Sequence, residues 1–377
     1  MKKVISIVLN NFKNDSRVLK ENISLQNNGY EVQVVALWED GVKEFEKIQN
    51  ISVHRVRLVT KNWSKNKLVQ LIKYFEFLYK VVKKYKNADI LHCNDLNALP
   101  IGVVIKLFFN QDIKIVYDAH EHESYRAGYG KIMQVLSRWW EGKLIKYADK
   151  VITVSYSIAD DYEKMYNIPK PALVLNTPFY KEIEKKDIFR KKFNIPEDDV
   201  IFLFQGGLSD KKWILEFAEL INGIKGVSYV IMGYGYLEPK IKDFCSKSDN
   251  VYFHEAVPPE VLLDYTSSAD IGLCMEEKVA KSWDYSLPNK IFEYMICGLP
   301  IIVSDIPPEM KNFILKHDVG FVFEDIYNNK RFKPQLENII QTYKTKIPNI
   351  KIKAKEFNWQ TQEKVLIALY KELDNVK

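Results

Sequence analysis

Glu293 lies about one turn inside a short apolar-periodic segment, Lys290 to Cys297, which follows the turn Ser286-Leu287-Pro288-Asn289. Gly298 stops that helix, Pro300 prevents its resumption, and Ile301-Ile302-Val303 reads as a buried strand. A helix leaving a tight turn presents unpaired N–H groups and the positive end of its dipole, and so attracts phosphate. A carboxylate one turn further in can accept hydrogen bonds from the two hydroxyls of a ribose. Phosphate and ribose within one helical turn describe a nucleotide site, with Ser286, Leu287, Pro288, Asn289 and Lys290 on its phosphate side.

Other residues suit the same chemistry. Charge developing on a diphosphate is best met by fixed cations and backbone N–H groups, which need no reorganisation during reaction. Lys211 and Lys212 follow the turn Gly206-Gly207-Leu208 at a strand end, and Lys290 is a second phosphate candidate. Gly233 and Gly235 are placed to flank the nucleotide, where a side chain would obstruct it. Titratable groups crowd the segment Asp118-Ala119-His120-Glu121-His122-Glu123 after another strand, which favours a site role for His120. The His120/His122 spacing also admits a metal pair, a reading set aside in favour of a site without metal. Asn11, in the first loop, His120 and Glu121 are candidates for the acceptor side.

The elements that must position these residues alternate. Strands read at Val4–Leu9, Glu31–Leu37, Ile51–Leu58, Ala88–Cys93, Lys114–Asp118 and Lys150–Ser155. Helices read at Arg17–Asn27, Lys65–Lys86, Ile101–Phe109 and Met133–Tyr147 between them. Such alternation gives an α/β, doubly wound parallel sheet. This first Rossmann-like domain is predicted over 1–178, followed by a polar linker at 179–187. A second series occupies 188–357, with strands at Val200–Gln205, Ser228–Met232, Val251–His254 and Asp270–Cys274 and helices at Trp213–Gly223, Leu237–Ser246 and Pro259–Ser268. A last amphipathic helix, Gln360–Leu373, closes the chain within 358–377. Ligands of open α/β sheets bind at the carboxyl ends of strands, where the Gly-Gly and Gly-x-Gly turns fall.

The string PNKIFEYMICGLPIIVSD resembles the donor-binding segment of the retaining glycosyltransferases of family 4, which have the GT-B fold. The family pattern is an acidic residue, a Gly/Pro turn, a second Glu, then a small-Gly-Pro-apolar strand. Glu293 matches the second Glu, which in the family holds the ribose. The first acidic position, eight residues earlier, falls on Tyr285 with Asp284 beside it, a departure from the pattern. Lys212 falls where family members place an Arg on the diphosphate, a point charge instead of a fork. Val257, within Ala256-Val257-Pro258, matches the position whose backbone reads the base edge. Asp118-Ala119-His120 resembles the Asp-x-His segment facing the donor sugar, and Phe357-Asn358-Trp359 the segment leading to a final helix that crosses back to the first domain. The resemblance extends from Asn14 to that helix. It implies two domains facing a cleft, transfer from a UDP- or GDP-sugar to a glycan or lipid-linked acceptor, His120, Lys212 and Glu293 as the catalytic set, and a role in cell-surface polysaccharide or glycolipid assembly. It implies no cofactor beyond the nucleotide-sugar donor and independence of metal, consistent with the absence of an Asp-x-Asp triplet. No dedicated base is required, because in the family the departing phosphate oxygen is thought to accept the acceptor's proton.

Composition narrows the classes. The 377 residues are too many for one typical core, and 47% hydrophobic with 28% charged residues is a globular balance. The four cysteines stand apart with no CxxC spacing, which fits a reducing cytoplasm. No stretch approaches the ~18 apolar residues of a membrane span. The net charge of +6 is weak for a chain of this length, and no recognition module appears, so nucleic acid is not expected as a partner. Basic residues interleave with aromatics at Lys61–Lys86 and Arg126–Lys146, with Trp139 and Trp140 in the second group. That pattern suits an anionic lipid surface, and peripheral attachment to the inner membrane face is expected. Two rivals share the same residues: a nucleotide-sugar 2-epimerase of GT-B fold, and a non-catalytic subunit of a heteromeric glycosyltransferase.

Overall fold

The apolar runs pair side by side as parallel ladders. A computed structural model describes residues 1–277, 279–325 and 328–375, and the chain divides into two units, Met1–Val174 with Glu363–Lys377, and Leu175–Gln362. The polar segment 179–187, read as a linker, falls inside the second unit. Among the described residues no helix is long and apolar enough to cross a membrane.

The first unit holds strands β1 (Lys3–Ile7), β2 (Glu31–Leu37), β3 (Phe45–Ile48), β4 (Ile51–Val56), β5 (Ile90–Asn94), β6 (Lys114–Ala119), β7 (Lys150–Thr153) and β8 (Ala172–Leu173). Their order is β3-β4-β2-β1-β5-β6-β7-β8. Strand β1 is central, with Ile5 between Gln33 and Leu91, and Val4, Ile5 and Ile7 are wholly buried. Strands buried on both faces read as continuous apolar runs, which is why their sequences are so plain. Strand β3 is the exception in direction, antiparallel to β4, and like β8 it is absent from the sequence reading. It is joined to β4 by Gln49 and Asn50, both at positive φ (47° and 69°), the geometry of a tight hairpin turn. Its alternate exposure and single Asn leave little for a sequence to signal.

The helix after β5 spans Asp95–Phe108 and starts six residues before the predicted Ile101, because Pro100 is accommodated inside it and does not precede it. The C-terminal helix is described over Trp359–Asn375; residues 376 and 377 of the expected segment 358–377 lie outside the described residues. From Glu363 onward this helix belongs to the first unit, where buried Tyr370 pairs its hydroxyl with Nδ1 of His92 at 2.7 Å.

The second unit holds β9 (Val200–Gly207), β10 (Val227–Tyr234), β11 (Val251–Glu255), β12 (Ile271–Cys274), β13 (Ile301–Ser304) and β14 (Gly320–Phe323), in the order β11-β10-β9-β12-β13-β14 and parallel throughout. Chain order reverses at β9, from which β10 leads one way and β12 the other, so a crevice opens at their carboxyl ends. The helix Asn289–Ile296 lies against this crevice, packed through Tyr294. The Tyr294 hydroxyl lies 3.1 Å from Leu203 O and 3.2 Å from Leu273 O, and accepts from the Gln205 N–H at 3.2 Å. The ring passes over β12 at Gly272, where a Cβ would sit 2.4 Å from ring carbons. Only glycine leaves that passage open.

Candidate active site

A cavity of about 410 Å3 opens at the carboxyl ends of β9 and β10, and most of the predicted donor residues line it. Gly206 and Gly207 end β9, and Gly233, next to last in β10, pairs with Gly206. Gly206, at φ +126°, opens toward space. A side chain at Gly233 would collide with Gly206 O at 1.9 Å, and one at Gly235 with Leu208 O at 2.2 Å. These two glycines therefore serve close backbone packing of the loops, and Gly235 is not among the lining residues.

The helix Asn289–Ile296 brings Pro288, Asn289, Lys290 and Glu293 to the same cavity, and no side chain caps its start. Ser286 donates to Trp283 O at 2.9 Å and Leu287 is buried, so these two shape the turn and lie outside the lining. Glu293 Oε2 accepts from Gln205 Nε2 at 2.6 Å, and Gln205 Oε1 accepts from Thr266 Oγ1 at 2.7 Å. The carboxylate is thus aimed by a fixed amide. Val257 and Ala256 line the far side.

Two ammonium groups face this space. Lys212 Nζ donates to Gly207 O at 3.2 Å, and Lys290 Nζ lies 4.4 Å above the Phe204 ring. Burial, and then repulsion from Lys290, lower the Lys212 pKa. Lys211 turns away: it sits at φ +70° and pairs with Glu277 Oε2 at 2.8 Å, stitching the loop after β9 to the loop after β12. The cavity also receives Glu276, which the sequence reading passed over. It is 6% exposed, and burial raises its pKa against the pull of Lys290 and Lys212. The available signal was a carboxylate two residues past the end of β12. Gln205, the polar end of an apolar strand, carried a similar one. Tyr285, at the position of the missing acid, follows the short helix Lys281–Asp284, with Lys281 Nζ 5.0 Å from its ring.

The first unit places His120 at a smaller cavity. Its Nε2 is 3.1 Å from Asp118 Oδ2, and its Nδ1 is 3.7 Å from Asp95 Oδ1. Burial alone would lower its pKa, but the carboxylates of Asp118 and then Asp95 outweigh it and raise it to about 10. Asp118 in turn is gripped by buried Arg17, whose Nε and Nη2 donate at 3.0 and 2.9 Å. Glu21, His92 and Asp118 have the spacing of a metal-ligand trio, but Arg17 already supplies a cation there, with Nη2 3.0 Å from Glu21. His122 is buried and contacts Asp161 at 2.7 Å, so the two histidines serve different partners. Glu121 pairs with Arg126 at 2.7 Å. Asn11 donates to Glu39 at 2.8 Å, and its neighbour Asn10 lines the cavity instead.

Because the folded pKa of His120 exceeds the unfolded one, its ion pairing contributes stability that is fully present below about pH 6.5. That contribution disappears as pH rises toward about 10. Melting temperatures recorded from about pH 7 to 10 should therefore fall less steeply for His120→Gln than for the native chain. Parallel slopes would contradict the pairing.

Two parallel-sheet α/β units, with a crevice at the strand ends of the second, are the architecture of the GT-B glycosyltransferases. Residues 23–177 match the family model described as Glycosyltransferase Family 4, and residues 199–341 match Glycosyl transferases group 1. Between them the two segments cover most of the chain, which belongs to the family 4-like glycosyltransferases. An uncharacterised glycosyltransferase of Methanocaldococcus jannaschii is 26% identical over 325 residues, covering 79% of this chain and 77% of that protein. Among solved structures, a sucrose-phosphate synthase from Thermosynechococcus elongatus superposes with TM-score 0.78 at 15% identity over 100% of both chains. The Anabaena protein HepE in complex with UDP-glucose superposes with TM-score 0.72 at 14% identity, covering 99% of this chain and 100% of that one.

Proposed function

We propose that this enzyme moves a sugar from a nucleoside-diphosphate sugar to a glycan or lipid-linked acceptor, with retention at the anomeric carbon, in the assembly of cell-surface polysaccharide or glycolipid. The observation that carries the reading is the convergence of Lys212, Lys290, an uncapped helix start and Glu293 on one cavity. The two ammonium groups meet the diphosphate, the helix N–H groups take its oxygens, and the ribose hydroxyls donate to Glu293. The HepE complex with UDP-glucose supports a nucleotide sugar as donor. As the bond from the anomeric carbon to the phosphate oxygen breaks, that oxygen takes the proton of the acceptor hydroxyl. The acceptor oxygen then bonds the same face of the carbon. The lysines stabilise the leaving diphosphate, and neither a protein base nor a metal is assigned a step.

Purified protein melted with UDP, GDP and their sugars tests the donor site directly. One nucleotide should raise the melting temperature, since ligand at about 100 times its Kd adds ~2.7 kcal/mol of apparent stability. No shift with any nucleotide diphosphate at millimolar concentration removes the reading. Products are then assigned by NMR: an inverted linkage overturns retention, and sugar isomerised with no acceptor present identifies an epimerase.

Peripheral attachment to the inner membrane face forms part of the proposal. The helix Lys131–Leu144 leaves Ile132, Val135 and Trp139 exposed at 78%, 67% and 59%, beside exposed Lys131 and Arg138. The helix Lys67–Tyr85 likewise exposes Leu68, Leu71, Phe75 and Tyr79. Amphipathic helices with these compositions bury their apolar face at the headgroup boundary and draw on anionic lipid. The protein should sediment with phosphatidylserine-containing vesicles at low salt and be released at high salt, and Trp139→Glu should weaken it. A protein that stays in the supernatant at low salt contradicts the attachment.

A further inference from the structure

Glu276, two residues past the end of β12, lines the donor cavity together with Lys212 and Lys290. Its place is built from both sides. The Glu276 N–H donates to Ser304 Oγ at 3.1 Å, and Ser304 Oγ donates to Glu276 O at 2.7 Å, so wholly buried Ser304 clamps this backbone from the end of β13. The next residue, Glu277, donates its N–H to Lys211 O at 2.8 Å and pairs its carboxylate with Lys211 Nζ, also at 2.8 Å. The Glu276 side chain is therefore held at the cavity wall by its anchored backbone. At 6% exposure it has lost most of its water, and that loss disfavours the charged form of a carboxyl group.

The surrounding charges decide what such a group can do. Lys212, from the loop after β9, and Lys290 and Glu293, from the helix Asn289–Ile296, share the cavity with it. On β12 itself the buried Cys274 thiol, pushed up to about 12 by burial, stays neutral. The two ammonium groups are thus balanced by Glu276 and Glu293. A diphosphate adds negative charge to this balance and draws the two lysines onto itself, which leaves a charged Glu276 facing an anion in a space short of water. Burial already raises the Glu276 pKa, against the pull of Lys290 and then Lys212. The neutral acid has an O–H to donate, where the carboxylate can only accept. We propose that Glu276 is a protonated acid in the nucleotide-bound enzyme and donates a hydrogen bond to the diphosphate of the donor, so that a proton is taken up as the donor binds. The proton stays on Glu276 throughout the transfer, and the hydrogen bond helps the lysines hold the leaving group. The proposal rests on the nucleotide-sugar reading and adds a neutral donor to its leaving-group site.

Titration calorimetry of the full chain with UDP-glucose and GDP-mannose tests this, since the diphosphate of neither sugar titrates near neutral pH. Repeating each titration in phosphate and in Tris, buffers of different ionisation enthalpy, counts the protons exchanged. The native protein should take up a proton on binding, and its Kd should rise with pH by up to about tenfold per unit between about pH 6 and 9. Glu276→Gln keeps the shape and a hydrogen-bond donor without the charge, so uptake should vanish and the Kd should stay level over that range. Glu276→Ala removes the donor as well, and should abolish uptake while weakening binding about tenfold, the worth of one hydrogen bond to a charged group. Three results overturn the proposal. One is native binding without proton uptake, and another is uptake that persists in both variants, which would put the proton on Lys212. The third is native affinity that rises with pH and is lost in Glu276→Gln, which would make Glu276 an ionised acceptor for the hydroxyls of the donor sugar. Failure of the donor reading registers differently, as no binding heat and no melting shift with either nucleotide sugar.

Discussion

Glu293→Ala should lower kcat/KM for the nucleotide-sugar donor by about a hundredfold, since hydrogen bonds to a charged group are each worth ~1.5–3 kcal/mol and two ribose hydroxyls share this carboxylate. The loss should be accompanied by disappearance of the nucleotide-induced melting shift, because the interaction forms in the ground state as well as in the transition state. Glu293→Gln retains one acceptor oxygen and should fall between the two. Gln205 would be disturbed by either change, since its Nε2 lies 2.6 Å from the carboxylate and its Oε1 is fixed by Thr266. Gln205→Ala should therefore raise the donor KM without abolishing turnover, as befits a residue that aims another. A Glu293→Ala protein that is still stabilised by nucleotide to the native extent would remove the ribose assignment.

Arg17→Met should cost about 3–5 kcal/mol, the penalty for removing one partner of a buried ion pair and leaving the other behind. Arg17 is 4% exposed, and its loss would leave Asp118 and Glu21, at 0% and 1%, without their arginine, although Asp118 keeps its contact with His120 at 3.1 Å. Stability of a domain is only ~5–15 kcal/mol, so the first unit should melt many degrees earlier while the second keeps its own transition. Arg17→Lys should recover only part, because one ammonium cannot reproduce the two parallel bonds to Asp118 or the third to Val174 O at 2.8 Å. Calorimetry resolves the two transitions. Unfolding of Arg17→Met within about a degree of the native chain would mean the cluster contributes nothing.

Much of this architecture was readable from residue order. The Gly-Pro stop after Ile296 and the buried run Ile301–Val303 determine their own geometry locally, and the helix bearing Glu293 lies within one residue of its predicted limits. Side-chain direction was not readable, because it depends on neighbours distant in sequence. Lys211 and Lys212 are adjacent, yet a positive φ at Lys211 sends it to Glu277 while Lys212 faces the cavity. Asn10 and Asn11 divide in the same way, one facing the cavity and the other Glu39. Glu276 escaped notice because its significance comes from Lys212 and Lys290, which only the fold brings near it. The hairpin strand Phe45–Ile48 was lost for a different reason: half exposed and four residues long, it has too little periodicity to register.

Gly272 and Tyr294 have a consequence for how this sequence can drift. The empty position on β12 and the ring that crosses it are a lock and its bolt, so a methyl group at 272 should be tolerated only where residue 294 has already shrunk. Tyr294 directly follows Glu293 along the chain, so any such paired exchange would reset the tilt of the carboxylate beside it. Variation in the buried layer would then surface as altered nucleotide affinity, with no change to any residue that touches the ligand.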